Sequence, residues 1–134
     1  MADEVATKQS TRKRLLIAGG GIGGLTLAAA LAGDESFEIT VIERSQRALS
    51  GGAAIILWAN AVSVLRTLGL GADVLSQSVA LSQTEFRSAQ GARLCELPIG
   101  QWSESSGAPS VVIRRASLIE ILAARVPASS LRIG

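Results

Sequence analysis

The sequence feature that most constrains the fold is a glycine cluster inside an apolar run, LLIAGGGIGGLTLAAALAG, at residues 15–33. Glycine occupies five of the six positions from 19 to 24. Basic residues precede the run, so it resembles a secretory leader or a membrane span as well as a nucleotide-binding loop. However, the glycines cluster at its start, Asp34 and Glu35 interrupt it, and a second apolar stretch, FEITVIE, follows at once. These features predict a strand, a phosphate loop, a helix and a second strand.

Three glycines and one acid have the spacing of a dinucleotide-binding unit. Gly19, Gly21 and Gly24 fit G-x-G-x-x-G, and Glu43 follows at the end of the second predicted strand. In such units the first glycine permits a tight turn, the second lets a pyrophosphate approach, and the third allows the helix to pack on the strand. The N-terminus of the helix then holds the phosphates. Glu43 is expected to accept the ribose hydroxyls, and its charge is expected to exclude NADP by repelling a 2′-phosphate.

Composition excludes several other classes of site. The 134 residues include no histidine, which excludes Ser–His–Asp hydrolysis and most catalytic metal sites, so no metal is expected. The single cysteine, Cys95, permits no internal disulfide and is predicted to be a small buried hydrophobic residue. Aromatic residues are scarce and the formal net charge is +2, which disfavours nucleic-acid binding. With neither a leader nor a membrane span favoured, a cytoplasmic location is expected.

Four segments, in order, extend the pattern along the chain. They are LLIAGGGIGGLTLAAAL, VIER, GGAAIILWANAVSVLRTLGLGADV and VIRRASLIEIL. In combination they resemble the N-terminal part of the single-component FAD-dependent aromatic-hydroxylase-type monooxygenases, the family of para-hydroxybenzoate and salicylate hydroxylases. The resemblance covers residues 14–134. It implies an α/β fold in which a Rossmann-like βαβ dinucleotide-binding unit and an added β-hairpin form an incomplete part of a larger FAD-binding fold.

The resemblance also implies a cofactor and a reaction. FAD would be bound, NAD(P)H would be the reductant, and the reduced flavin would react with O₂ to a C4a-hydroperoxide that hydroxylates a small, aromatic substrate. No residue of the chain is assigned as a catalytic acid or base. Because the family continues where this sequence ends, the chain alone is expected to be catalytically incomplete and to lack the third strand of the Rossmann sheet. The final residues, LRIG, are expected only to begin a strand.

Further site residues carry over from the family position by position. The four residues of the first motif take the ADP-binding roles. Arg44 would lie beside the adenosine, with an exposed strand-end arginine as an equal alternative. Ala54 stands where the family has a glycine near the flavin. Arg115 matches the arginine of the family's R-x-x-L segment and would reach the pyrophosphate or the ribityl oxygens, and Arg114 would take its place if the register shifts by one residue.

The remaining sequence predicts how the chain is organised around this unit. Residues 1–13 are predicted to be a flexible basic tail, and residues 14–134 a partial FAD-binding domain. A β-hairpin is predicted near 79–98, turning at Gln90–Gly91, and the resemblance implies that it begins the substrate-side sheet. Residues 100–110 are predicted to be a loop, with Trp102 folded onto the core rather than stacked on a ligand.

An amphipathic helix is predicted to follow Asn60. The type of this residue favours an N-cap, and Gly69 is expected to end the helix. Its core positions have the spacing i, i+3, i+4 and i+7, namely Ala61, Val64, Leu65 and Leu68.

Two other classes of function remain open. A different FAD-dependent oxidoreductase, such as a reductase, dehydrogenase or halogenase, would share the same first half-fold, and downstream sequence would distinguish it. A non-catalytic remnant would bind nucleotide weakly or not at all, and it would stay colourless with excess FAD. The sequence does not determine the oligomeric state.

Overall fold

The computed structural model describes residues 12–45 and 52–134. This part of the chain contains both strands and helices. In chain order the elements are β1 (Lys13–Ala18), α1 (Ile22–Leu31), β2 (Phe37–Glu43), β3 (Ala54–Leu57), α2 (Ala59–Thr67), α3 (Gly71–Ser76), β4 (Ser78–Ala80), β5 (Thr84–Arg87), β6 (Arg93–Leu97), α4 (Ile99–Ser106), β7 (Val111–Arg114), α5 (Arg115–Ala123) and β8 (Leu131–Ile133).

A parallel sheet with the strand order β1-β2-β8 forms the first part of the fold. Ala18 pairs with Ile42, and Ile42 pairs with Arg132, so the carboxyl ends of all three strands meet at one edge. Helix α1 connects β1 to β2, and its side chains Leu25 and Ala28 are completely buried. The predicted Rossmann-like α/β unit is confirmed.

The expectation that the third strand of this sheet is missing is wrong. Strand β8 lies parallel to β2, and the Gly134 N–H donates to the Glu43 carbonyl oxygen at 3.0 Å. The segment is short, and its apolar side chains are those of Leu131 and Ile133, which alternate with Arg132. The final residues, LRIG, are expected from the sequence to begin a strand, and the first three form β8 because their backbone pairs with β2 in a long-range contact.

A second sheet is antiparallel and has the strand order β3-β7-β4. Helix α5 follows β7 directly and packs against α1, which joins the two sheets. Val41 from β2, Val62 from α2, Ile113 from β7 and Leu122 from α5 belong to the same cluster of buried residues. The parallel and antiparallel sheets therefore share one core.

A separate antiparallel hairpin, β5–β6, turns through residues 88–92 with Gly91 at φ +86°. The end of β4 also falls within the range predicted as hairpin, but β4 pairs with β7. The predicted burial of Cys95 is wrong, because residues 93–96 of β6 are all exposed. The hairpin contributes no residue to the main buried cluster.

The predicted loop at 100–110 is wrong for its first part, which forms helix α4. Ile99 is completely buried and anchors the helix, and the Gly100 N–H donates to the Ser82 carbonyl oxygen at 2.7 Å. Gly107, with φ +69°, ends the helix in the left-handed conformation. Trp102 is 48% exposed on this helix, so the prediction that it folds onto the core is also wrong.

Helix α2 begins two residues earlier than predicted. Trp58 precedes it in an extended conformation, and no side chain caps it, so the N-cap role of Asn60 is wrong. The helix buries Ala59 and Val62 in addition to the predicted Leu65. Its predicted core position Val64 is exposed. Burial of Ala59 thus explains why the helix begins there, and the buried face of the helix differs from the predicted one.

The predicted N-terminal tail, residues 1–13, lies almost wholly outside the described residues. Lys13 already belongs to β1, where it pairs with Phe37. Within residues 12–45 and 52–134, no helix combines the length and the apolar character needed to cross a membrane.

Candidate dinucleotide-binding site

The site begins at residues 19–24, which comprise the loop between β1 and α1 and the first turn of α1 and are called here the phosphate loop. Gly19 has φ +108°, a conformation that side-chain-bearing residues rarely adopt. Its N–H donates to the Ile42 carbonyl oxygen at 2.7 Å, so the backbone turns sharply at the end of β1 while still bonded to β2. The predicted reason for glycine at this position, a tight turn, agrees with this geometry.

Two glycines of the phosphate loop are enclosed by protein atoms. A Cβ added at Gly24 would overlap the Gly19 carbonyl oxygen and would lie 3.2 Å from a methyl carbon of Ile17. A Cβ added at Gly20 would lie 2.9 Å from the Cβ of Glu43. Gly24 therefore permits the close packing of α1 on β1, and Gly20 permits close approach of the Glu43 side chain.

Gly21 has the opposite environment. A Cβ built on it meets no atom within 4 Å, and its backbone is extended, with φ −78° and ψ −176°. Gly21 immediately precedes α1, whose first N–H groups have no acceptor within the helix. The first turn of α1 carries no acidic residue. Open space at a helix N-terminus fits the pyrophosphate of a dinucleotide.

Glu43 is held at the end of β2 by two backbone donors. Its Oε2 accepts the Gly20 N–H at 2.8 Å, and its Oε1 accepts the Ser45 N–H at 2.8 Å. These bonds, first that from Ser45 and then that from Gly20, lower the pKa of Glu43 below its usual range. Each carboxylate oxygen has a second lone pair, so Glu43 can still accept a ribose hydroxyl.

An open cavity of about 710 Å³ lies at the carboxyl ends of β1, β2 and β8. Gly19, Glu43 and Arg44, three of the predicted site residues, line it together. Arg132 of β8 lines it as well, and sequence reasoning missed this residue because its place depends on the pairing of β8 with β2. Sequence reasoning also missed Gly20, for which the run of three consecutive glycines was the available evidence.

Ala54 and Arg115 lie together elsewhere, at the start of β3 and of α5. The Arg115 N–H donates to the Ala53 carbonyl oxygen at 3.2 Å, and Ala54 pairs with Arg114 across the sheet. The Arg115 side chain is half-buried and runs beside Gly52, where an added Cβ would lie 3.0 Å from its Cδ. Arg114 is exposed at the end of β7. Neither arginine lines the 710 Å³ cavity.

Metal-binding chemistry has no support in this part of the molecule. Among the described residues, no group of three or more Cys, Asp or Glu side chains could hold a metal ion. The polar groups of the site are instead backbone N–H groups and two guanidinium groups, which donate, and one carboxylate, which accepts, a set that suits a nucleotide.

Comparison with known proteins identifies the type of unit. The model of the family described as an NAD(P)-binding Rossmann-like domain matches residues 17–64. The 3-amino-4-hydroxybenzoate 2-monooxygenase of Streptomyces cremeus is 38% identical over 123 residues, which cover 90% of this chain and 31% of that enzyme. The FAD-dependent monooxygenase ausM of Emericella nidulans is 32% identical over 91% of this chain and 26% of its own length. The resemblance to FAD-dependent monooxygenases is confirmed.

A solved oxygenase structure supports the same relationship at the level of the fold. The tetrameric form of 2-methyl-3-hydroxypyridine-5-carboxylic acid oxygenase superposes with a TM-score of 0.73 and 29% identity, over 92% of this chain and 31% of that chain. The chain therefore spans less than a third of each of these relatives, and it corresponds to a partial fold of this monooxygenase type.

Proposed function

We propose that the chain binds the ADP half of FAD and forms the FAD-binding portion of an NAD(P)H-dependent flavoprotein monooxygenase. The observation that carries the proposal is the hydrogen bond from the Gly20 N–H to Glu43 Oε2. This bond joins the phosphate loop to the acid at the end of the second strand. It supports the proposal because the N-terminus of α1 and the Glu43 carboxylate then lie at one edge of one sheet, where a dinucleotide would need them.

Each residue of the site has a proposed task. Gly19, Gly21 and Gly24 shape the loop that receives the pyrophosphate on the N-terminus of α1. Glu43 accepts the ribose hydroxyls, and Arg44 lies beside the adenosine. When bound, the flavin would supply the redox chemistry with O₂, while the protein supplies binding and orientation.

Ala54 and Arg115 have a separate proposed task. We assign them to the flavin side of the cofactor, away from the 710 Å³ cavity beside Glu43. We assign that cavity to the adenosine and call it the adenosine cavity. Arg115 would offer its charge to the pyrophosphate or the ribityl oxygens. Their position on β3 and α5, outside the adenosine cavity, supports this division of the site into two parts.

The substrate proposed is a small aromatic molecule. Relatives named for 3-amino-4-hydroxybenzoate support this class.

A cytoplasmic location is also proposed, since residues of the leader-like run are folded into β1 and α1. The β5–β6 hairpin is proposed to contribute to the substrate side.

Cofactor titration of the purified chain tests the proposal. FAD, NAD and NADP are each added while binding is followed by calorimetry and, for FAD, by flavin fluorescence. We expect FAD to bind more tightly than NAD, and NADP to bind most weakly because the ionised Glu43 repels its 2′-phosphate. Tighter binding of NAD than of FAD contradicts the flavoprotein assignment, and absence of all binding favours a non-catalytic remnant.

A turnover assay tests catalytic completeness. The chain is incubated with FAD, NAD(P)H and a panel of phenolic acids, and hydroxylated product is measured. We expect no stoichiometric product, because the described site binds the ADP half of the cofactor and does not enclose a substrate. Stoichiometric product from the 134 residues would show that the chain is a complete enzyme.

A further inference from the structure

A row of three side chains crosses the parallel sheet at the cavity. Ala18, Ile42 and Arg132 are direct neighbours in register on β1, β2 and β8, and all three line the 710 Å³ cavity. Because adjacent strands lie about 4.8 Å apart, the row spans about 10 Å. The cavity floor is therefore apolar beneath β1 and β2 and cationic at β8.

The order of the strands indicates which part of a bound dinucleotide would lie beside each residue of this row. The phosphate loop follows β1, and the ribose-binding Glu43 ends β2. The next strand in the same direction is β8. An adenosine extended from the phosphates past Glu43 would therefore reach β8, where Arg132 lies.

We propose that Arg132 stacks on the adenine ring and makes the site prefer a purine nucleotide. This inference rests on the proposed function and adds a residue that determines base specificity. A guanidinium group is planar, carries a delocalised charge and stacks on aromatic faces. Within the described part of the chain, no hydrogen bond or salt bridge holds the Arg132 side chain, which is exposed and available to a ligand.

The chemistry of the neighbours supports stacking over binding of an additional phosphate. Ile42, 40% exposed, offers an apolar surface beside Arg132. Glu43, held ionised by its two backbone donors, lies next along β2 and repels a further anion. A nucleobase is flat and neutral. Its aromatic face can pack beside Ile42, and it carries no charge for Glu43 to repel.

The experiment compares ADP with UDP, which differ only in the base. Binding of each to the full chain is measured by calorimetry for the unchanged chain and for Arg132→Ala, Arg132→Lys and Arg14→Ala. Arg14→Ala is the matched control, because it removes the same charge from the opposite end of β1 on the same face of the sheet. Thermal unfolding of each variant checks that the fold is retained, as expected for exposed side chains.

We expect Arg132→Ala to weaken ADP binding about three- to thirtyfold and UDP binding much less, since stacking energies depend on the size of the base. Arg132→Lys is expected to behave like Arg132→Ala, because lysine keeps the charge and loses the planar face. Arg14→Ala is expected to leave both affinities unchanged.

Three results would overturn the inference. Unchanged ADP binding by Arg132→Ala contradicts any contact with the base. An equal loss for ADP and UDP, or full rescue by lysine, indicates a purely electrostatic role toward the phosphates. Failure of the unchanged chain to bind ADP contradicts the proposed function itself, and the inference falls with it.

Discussion

Glycines in the phosphate loop and in the β5–β6 turn are required for different reasons. In the phosphate loop, Gly24 and Gly20 face protein atoms so closely that a Cβ would meet backbone or the Glu43 side chain. In the hairpin turn, Gly91 faces open space and differs from other residues only in its φ of +86°. Packing between elements requires glycine at Gly24 and Gly20, whereas local backbone conformation requires it at Gly91, as it does at Gly19.

This difference predicts which part of the structure a side chain added at each glycine would disturb. A side chain at Gly24 would push α1 away from β1 and disturb the shared core, whereas a side chain at Gly91 would strain one turn outside the main buried cluster. Gly21 differs from both, because it has space around it and an extended backbone that any residue can adopt. No described protein atom near Gly21 requires a glycine there, and the proposed function gives it a reason, the close approach of a pyrophosphate.

The largest effect on stability is expected for Gly24→Ala. The added methyl group would overlap the Gly19 carbonyl oxygen, and we expect a loss of about 3 kcal/mol or more in the free energy of unfolding. Gly23→Ala is the matched control, since its Cβ meets no atom within 4 Å, and it should gain up to about 1 kcal/mol in helix propensity. Urea unfolding of the two variants measures both, and equal stability of the two would contradict the packing argument.

Glu43→Ala sharpens the role of the acid at the carboxyl end of β2. Loss of one charged hydrogen-bonding partner is expected to weaken FAD binding by about ten- to a hundredfold. Glu38→Ala removes the same charge from the same strand outside the adenosine cavity, and it should leave the affinity unchanged. If both substitutions weaken binding equally, the contribution of Glu43 is general electrostatics rather than ribose recognition.

The contrast between the two regions also explains what sequence reasoning achieves. The β1–α1–β2 unit is predictable because all of its signals lie within about thirty consecutive residues. These signals are the glycine spacing, the two apolar strands and the acid at the end of the second strand. Helix α4 is not, because its serine-rich sequence has weak helix propensity and its anchors, Ile99 and the Gly100–Ser82 bond, are tertiary contacts.

The site divides in the same way. Gly19, Gly21, Gly24 and Glu43 follow from a motif whose physical roles are general. Arg132 does not, because only the pairing of β8 with β2 brings it to the cavity. Residues that reach a site through long-range register carry no local pattern that would indicate it.

A smaller effect is expected in the hairpin from Gly91→Ala. Alanine in the left-handed conformation costs about 1–2 kcal/mol, and the neighbouring open space adds no packing penalty. Thermal unfolding should therefore show a modest decrease, while FAD affinity stays unchanged because the hairpin lies outside the cavity. A loss as large as that of Gly24→Ala would contradict the distinction between packing and local conformation.

The smallest expected effect is a dependence of stability on pH. The pKa of Glu43 is lowered in the folded protein, so its ionised form stabilises the fold above its usual pKa, and this contribution is lost as pH falls below about 4. The difference in unfolding free energy between the unchanged chain and Glu43→Ala should shrink over that range. This comparison cancels the similar effect of Asp34, whose pKa is lowered by the Ser36 N–H. A constant difference across the range would contradict the two backbone bonds.

FAD titration of Gly21→Val against the unchanged chain tests the central claim most directly. Valine can adopt the extended backbone at this position, and its Cβ would meet no protein atom within 4 Å, so the fold should be largely retained. Its branched side chain would occupy the space assigned to the pyrophosphate, so FAD affinity should fall at least about a hundredfold, with a smaller fall for Gly21→Ala. Full FAD affinity in a folded Gly21→Val variant would show that the phosphates do not lie on this loop.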